Sequence, residues 1–228
     1  MTQDVPIAVA IDGPMGSGKS TVAREVARRL GFRYVDTGAM YRAVAAAALR
    51  SGVGAGDADA LARLAREVEI GGESGDEGAA CVTVNGEDVT GDLRTVAVNR
   101  IVGEVARVPA VRAALGALQR TLGRAGSVVM EGRDIGSVIL PDARVKVYLT
   151  ASPDARARRR QAELAAAGER VPIDEVRRIE EEDDRAATTR EIAPLVVAPG
   201  ASVIDSTELG VDEVVERILA LVDRARGL

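Results

Sequence analysis

Ile7-Ala8-Val9-Ala10-Ile11-Asp12-Gly13-Pro14-Met15-Gly16-Ser17-Gly18-Lys19-Ser20-Thr21 decides the fold of this chain. Ile7 to Ile11 is a continuous apolar run bounded by Pro6 and Asp12, the pattern of a strand buried on both faces of a parallel sheet. From about Gly18 to Leu30 the spacing predicts a helix, closed by Gly31 at a left-handed cap position. Between them lie the parts a phosphate anion requires: inward-pointing N–H groups, the positive end of a helix and a mobile cation. Gly13, Gly16 and Gly18 let the backbone curl around the anion, Lys19 reaches the outer phosphates, and the Ser20 hydroxyl is placed to ligate magnesium.

Two rival readings of the glycines are weaker. A dinucleotide fingerprint beginning at Gly16 would use Asp36 as its ribose-binding acid, but Thr21 stands where the third glycine belongs. A GTPase would need an N-K-x-D base-reading motif, which the sequence lacks, and its single D-x-x-G, starting at Asp88, falls in a hairpin.

Outward from the loop the chain alternates. Phe32 to Val35 reads as a strand, Ala39 to Arg50 as a helix stopped by Ser51-Gly52, and Asp57 caps a helix to about Val68. Cys81 to Val84, the turn Asn85-Gly86 and Glu87 to Val89 form a hairpin, a small antiparallel insertion. Helices at about Thr95 to Ala106 and Ala110 to Leu122 precede strands at Val128 to Met130 and Val145 to Leu149. Pro153 then opens an arginine-dense helix ending near Gly168, and a polar helix runs from about Asp174 to Arg190. A last strand, Ser202 to Ile204, and an amphipathic helix, Asp212 to Arg226, close the chain. Such alternation implies an α/β fold, a doubly wound parallel sheet with helices on both faces and ligands at the strands' carboxyl ends.

The totals bound the chemistry. At 228 residues the chain is short for two independent domains joined by a linker, so one compact unit is expected. The absence of histidine removes serine-histidine and cysteine-histidine dyads and imidazole ligands; one cysteine, Cys81, forbids an internal disulfide and a multi-thiolate zinc site. A net charge of -5 with 2% aromatics argues against a nucleic-acid surface. No apolar run is long enough to span a bilayer and the first residues do not read as a signal peptide, so the cytoplasm is the expected compartment.

Asp36-Thr37-Gly38-Ala39-Met40-Tyr41-Arg42 ends the second strand, and Glu131-Gly132-Arg133-Asp134 ends a third. Two strand ends that each deliver an arginine point to a second anion. Joining a polyphosphate donor to a phosphate acceptor requires guanidinium clamps and magnesium more than a base, because a phosphate monoester is already ionised at neutral pH. That chemistry is compatible with a chain lacking histidine. Arg156, Arg159 and Arg160 share one helix face, suited to a lid that closes over the transferring group and excludes water.

With the P-loop, D-T-G-A-M-Y-R, E-G-R-D-I-G-S-V-I-L-P-D-A, R-A-R-R-R and T-R-E-I-A-P-L in order, the chain resembles the bacterial cytidylate kinase family, P-loop nucleoside monophosphate kinases, over nearly its whole length. The resemblance implies a single P-loop kinase domain over 1–228 with a five-stranded sheet. Its core would be 1–62, 93–150 and 171–228, its NMP-binding insert 63–92 and its helical lid 151–170. It further implies Mg2+-dependent transfer of the γ-phosphoryl group of ATP to CMP and dCMP, by a monomer that binds neither nucleic acid nor membrane. ATP would rest on Gly13, Pro14, Met15, Gly16, Ser17, Gly18, Lys19, Ser20 and Thr21. Thr37, Arg42, Arg133 and Arg190, with Asp36, would hold the acceptor's phosphate end, and Arg112 and Asp134 would read the cytosine edge. Lys19, Arg133, Arg156, Arg159, Arg160 and Arg190 would act in catalysis.

Three positions depart from the family pattern: Gly103 stands for a serine, Asp183 for an arginine near the phosphates, and Ala187 for an aspartate that holds the sugar. They keep open an alternative, a kinase-like nucleotide-binding module of relaxed specificity or reduced activity.

Overall fold

The computed structural model describes residues 6–74, 80–166 and 168–227. By internal contacts the chain divides into two compact units, Met1–Tyr34 with Gly126–Leu228, and Val35–Ala125.

The first unit is built on the loop-bearing strand. Strands β1 (Ala8–Asp12), β2 (Arg33–Asp36), β6 (Val128–Gly132), β7 (Val145–Thr150) and β8 (Ser202–Asp205) form one sheet in the order β2-β6-β1-β7-β8. Parallel registers join β1 to β6 and β7, and β7 to β8. Val9, Ala10 and Ile11 are fully buried, as the uninterrupted apolar run predicts for a central strand. Val9 and Ile11 pack with Val22 and Val26 of α1 (Lys19–Leu30) and with Val215, Ile218 and Val222 of α8 (Val211–Arg226). Burial of each such side chain stabilises the fold by about 1.5–3 kcal/mol relative to exposure.

β6 runs two residues beyond its expected end, to Gly132, because its register with β1 continues to Asp12. A π-helical turn, Ile135–Ile139, follows and packs beside β1; the sequence reading did not include it. α6 (Pro153–Ala166) and α7 (Ile173–Thr189) pack on each other in the same unit.

In the second unit α2 (Thr37–Arg50) lays Ala39, Ala43 and Ala47 against Val82, Val84, Val89 and Leu93. Small side chains at this helical spacing let the helix lie close to β4 (Ala80–Val84). β4 pairs antiparallel with β5 (Glu87–Asp88) through the predicted Asn85-Gly86 turn, and also with β3 (Ile70–Ser74), which the sequence did not announce. α3 (Ala58–Glu67), α4 (Val96–Val105) and α5 (Pro109–Arg124) complete the unit. Asp57 and Thr95 cap α3 and α4 through their side chains, and Pro109 takes the first position of α5.

Candidate active site

The turn between β1 and α1 has the form of an anion cradle. Gly13, Gly16 and Gly18 have φ of 154°, 73° and 90°, and a β-carbon on Gly13 would collide with the Leu149 carbonyl oxygen. Only a residue without a side chain fits that approach. No side chain caps α1, so its first N–H groups stay available to a ligand. Ser17 Oγ donates to the Pro14 carbonyl at 3.0 Å, and Lys19 Nζ donates to the same oxygen at 2.6 Å. Burial, with the Arg133 charge, lowers the Lys19 ammonium to about 8, against the raising influence of Glu131, Asp12 and Asp183. Ser20 lies in the first turn of α1 and Thr21 is exposed on it. This loop fits a magnesium-bound polyphosphate: glycine torsions, a helix start and an ammonium meet in one turn, with the Ser20 hydroxyl beside them as the candidate metal ligand.

Asp12 ties this loop to the next strand end. Its buried carboxylate accepts from the Ile135 and Gly136 amides, both at 2.7 Å. Burial raises it to about 6 despite those bonds; Asp134 adds to the rise and Lys19 opposes it. The two bonds hold the chain immediately after Arg133 and Asp134.

Arg133 Nη2 donates to Asp183 at 2.5 Å, and its Nη1 lies 3.8 Å from Asp184. Arg156, buried on α6, donates to the Met15 carbonyl at 3.0 Å and pairs with Asp184 at 2.7 Å. Arg159 donates to Ser206 Oγ at 3.0 Å and to its carbonyl oxygen at 2.5 Å. The Ser206 hydroxyl lies 3.2 Å from the Ser17 carbonyl oxygen, so Arg159 is linked to the loop through one residue. Arg160 instead turns to Glu163 at 3.0 Å. Arg190 Nη2 lies 3.6 Å from Asp134, and its Nε donates to the Ala193 carbonyl. Within this unit, therefore, Arg156 and Arg159 converge on the loop, while Arg133 and Arg190 are held by Asp183 and Asp134.

Sequence reasoning missed Glu180 on α7. It is fully buried, and both carboxylate oxygens lack a hydrogen-bond partner among the described residues. No signal in the sequence singles it out, because α7 is polar and its buried face, Val176, Glu180 and Ala187, is set by the fold. The flagged Asp183 faces Arg133, and flagged Ala187 is buried on the same helix.

In the second unit, Asp36 is the N-cap of α2, accepting from the Ala39 amide at 2.9 Å, and Thr37 is buried in its first turn. A β-carbon on Gly38 would lie 3.1 Å from both Arg42 Nη1 and Asp36 Oδ1, which places that guanidinium beside the cap. Arg112 is buried, donates to the Ala106 carbonyl at 3.3 Å and stacks 5.7 Å from the centre of the Tyr41 ring. Gly103 is exposed on α4, with open space where a side chain would stand.

The family model described as cytidylate kinase matches residues 9–224. A cytidylate kinase of Pelotomaculum thermopropionicum is 51% identical over 96% of this chain and 96% of its own. One from Solibacter usitatus is 47% identical, over 97% and 94%. Among solved structures, the shikimate kinase of Bacteroides thetaiotaomicron is similar with a TM-score of 0.50 at 15% identity, covering 96% of this chain and 99% of that one, a likeness of fold alone.

Proposed function

The chain belongs to the cytidylate kinase family, and on that premise we propose that it transfers the γ-phosphoryl group of ATP to CMP and dCMP, giving ADP and CDP or dCDP. The observation that carries the reading is the anion cradle at Gly13–Ser20 with two arginines of α6 reaching it, Arg156 directly and Arg159 through Ser206. A kinase-like module without turnover is the weaker reading, since near 50% identity to cytidylate kinases runs over almost the full chain.

Residues 13–21 hold the donor, with Lys19 following the β- and γ-phosphates. Ser20 would hold the magnesium ion, whose charge would offset that developing on the transferring group. Arg133 and Arg190 exchange their carboxylate partners for the acceptor's phosphate, and Asp134 reads the base. The resemblance gives Asp36, Thr37 and Arg42 the phosphate end and Arg112 the base, roles that substitution tests one by one. Arg156, Arg159 and Arg160 follow the group in transfer, with Arg160 leaving Glu163 to do so. No proton need leave a phosphate nucleophile, so positioning and charge stabilisation supply the catalysis. We assign 63–92 as the acceptor-binding insert and 151–170 as the lid, on a cytoplasmic monomer that binds no nucleic acid. No described helix is long and apolar enough to cross a membrane.

Magnesium-dependent ADP formation with CMP, dCMP, UMP and shikimate in turn tests the proposal. It expects turnover with CMP and dCMP; turnover with shikimate alone, or none with any acceptor, would overturn it.

A further inference from the structure

Helix α7 inverts the usual pattern of a surface helix at one step. Glu180 is 1% exposed while Ile179 beside it is 44% exposed. A helix whose only task was to pack would present the isoleucine inward. The carboxyl that takes its place has no hydrogen-bond partner at either oxygen among the described residues. It rests on the phosphate loop itself: a β-carbon on Gly16 would lie 2.5 Å from Glu180 Oε1 and 2.9 Å from Arg156 Cβ.

The charged groups facing Glu180 are Arg156 and Arg160 on α6, and Asp183 and Asp184 on its own helix; the loop presents uncharged Gly16. Their charges largely offset. The Arg156 guanidinium is committed to the Met15 carbonyl and Asp184, and Asp183 to Arg133. An ionised carboxylate here would be a buried charge with no donor of its own.

We propose that Glu180 is a working part of the donor site: seating a polyphosphate on the loop is coupled to uptake of one solvent proton by its carboxyl, which then faces the loop as a neutral acid. The inference rests on the reading of residues 13–21 as the donor site. Burial already raises Glu180 to about 7, Arg156 and Arg160 oppose the rise, and Asp184 and Asp183 reinforce it. A polyanion on Gly16 adds negative charge beside it and draws Arg156 away, and both raise it further. An acid whose proton is held more tightly in the complex gives the highest nucleotide affinity below its free-state value. Affinity then falls, by up to about tenfold per pH unit, as pH rises from about 7 to the complex's value.

Calorimetric binding of a magnesium complex of a non-hydrolysable ATP analogue, from pH 6 to 9 in two buffers of different ionisation enthalpy, tests this on the full chain. The wild type is compared with Glu180→Gln and Glu180→Leu. The ligand's own titration is common to all three and drops out of the differences. The wild type is expected to lose affinity above pH 7 and to take up more protons on binding than either variant. Both variants should bind several-fold tighter than wild type at pH 8.5. Parallel pH slopes, or equal proton uptake in all three, would overturn the assignment of Glu180 alone. Failure of all three to bind would overturn the donor reading beneath it.

Discussion

The phosphate loop and helix α7 lie in the same unit but are built by opposite rules. In the loop, near neighbours meet each need: glycine torsions, the Ser17-to-Pro14 bond and the start of α1 are all set within eight residues. α7 is a sound helix by local criteria, with Asp174 and Glu175 in its first turn. Yet its Asp183 answers a guanidinium 50 residues away, and its Glu180 carboxyl has no hydrogen-bond partner among the described residues. Backbone shape can be specified locally, whereas the charge balance of a site is specified by whatever the fold brings to it.

Lys19→Ala would break the comparison from the loop side with the largest effect. It removes the only side-chain cation of the cradle's own turn, so kcat should fall about 10²- to 10³-fold while thermal unfolding stays close to wild type. Coupled-assay rates beside a melting curve check both halves.

Glu180→Leu breaks it from the other side. A carboxyl that holds its proton to about 7 when folded, against the ordinary 4.5, contributes fully to stability below pH 4.5 and loses that contribution as pH rises through 7. Urea unfolding without nucleotide should therefore show the leucine variant gaining on the wild type between pH 4.5 and 8, by on the order of 2 kcal/mol. A constant gap across that range would count against a neutral, buried Glu180.

Asp183→Asn is a smaller change. It loosens Arg133 from a partly exposed ion pair worth about 0.5–1 kcal/mol, so the KM for CMP should drop about two- to fivefold in steady-state rates, with the KM for ATP little altered. An unchanged CMP constant would show that the aspartate does not compete with the acceptor. Ile179→Lys should do least, within about 0.5 kcal/mol in the same urea experiment, because that side chain faces solvent.

The central strand, the loop and the first helix were legible because hydrophobic pattern and turn chemistry agree over a short span. β3 was not. Ile70-Gly71-Gly72-Glu73-Ser74 has neither alternation nor β-branched residues after Ile70, and it becomes a strand by pairing with β4. The turn at Ile135–Ile139 was hidden for a similar reason: Asp12, distant in sequence, accepts from its first amides. Among the candidate site residues, the spacing of Arg156 and Arg159 gave their shared face, and both reach the loop, but the same spacing could not show that Arg160 would turn to Glu163. Asp183 stood out against the family pattern; Glu180 did not, since a glutamate in a polar helix draws no notice until its burial is seen.

Asp12 has a consequence for how the chain assembles. Its two amide partners lie 123 and 124 residues further along, so no fragment ending before Gly136 can complete that latch. Loop closure over that span is slow compared with making the strand-loop-helix turn. During synthesis the phosphate cradle should therefore take shape early, while the segment behind Arg133 settles only after most of the polypeptide has emerged. The amide protons of Ile135 and Gly136 would then exchange with solvent through opening of the whole sheet rather than through local fraying.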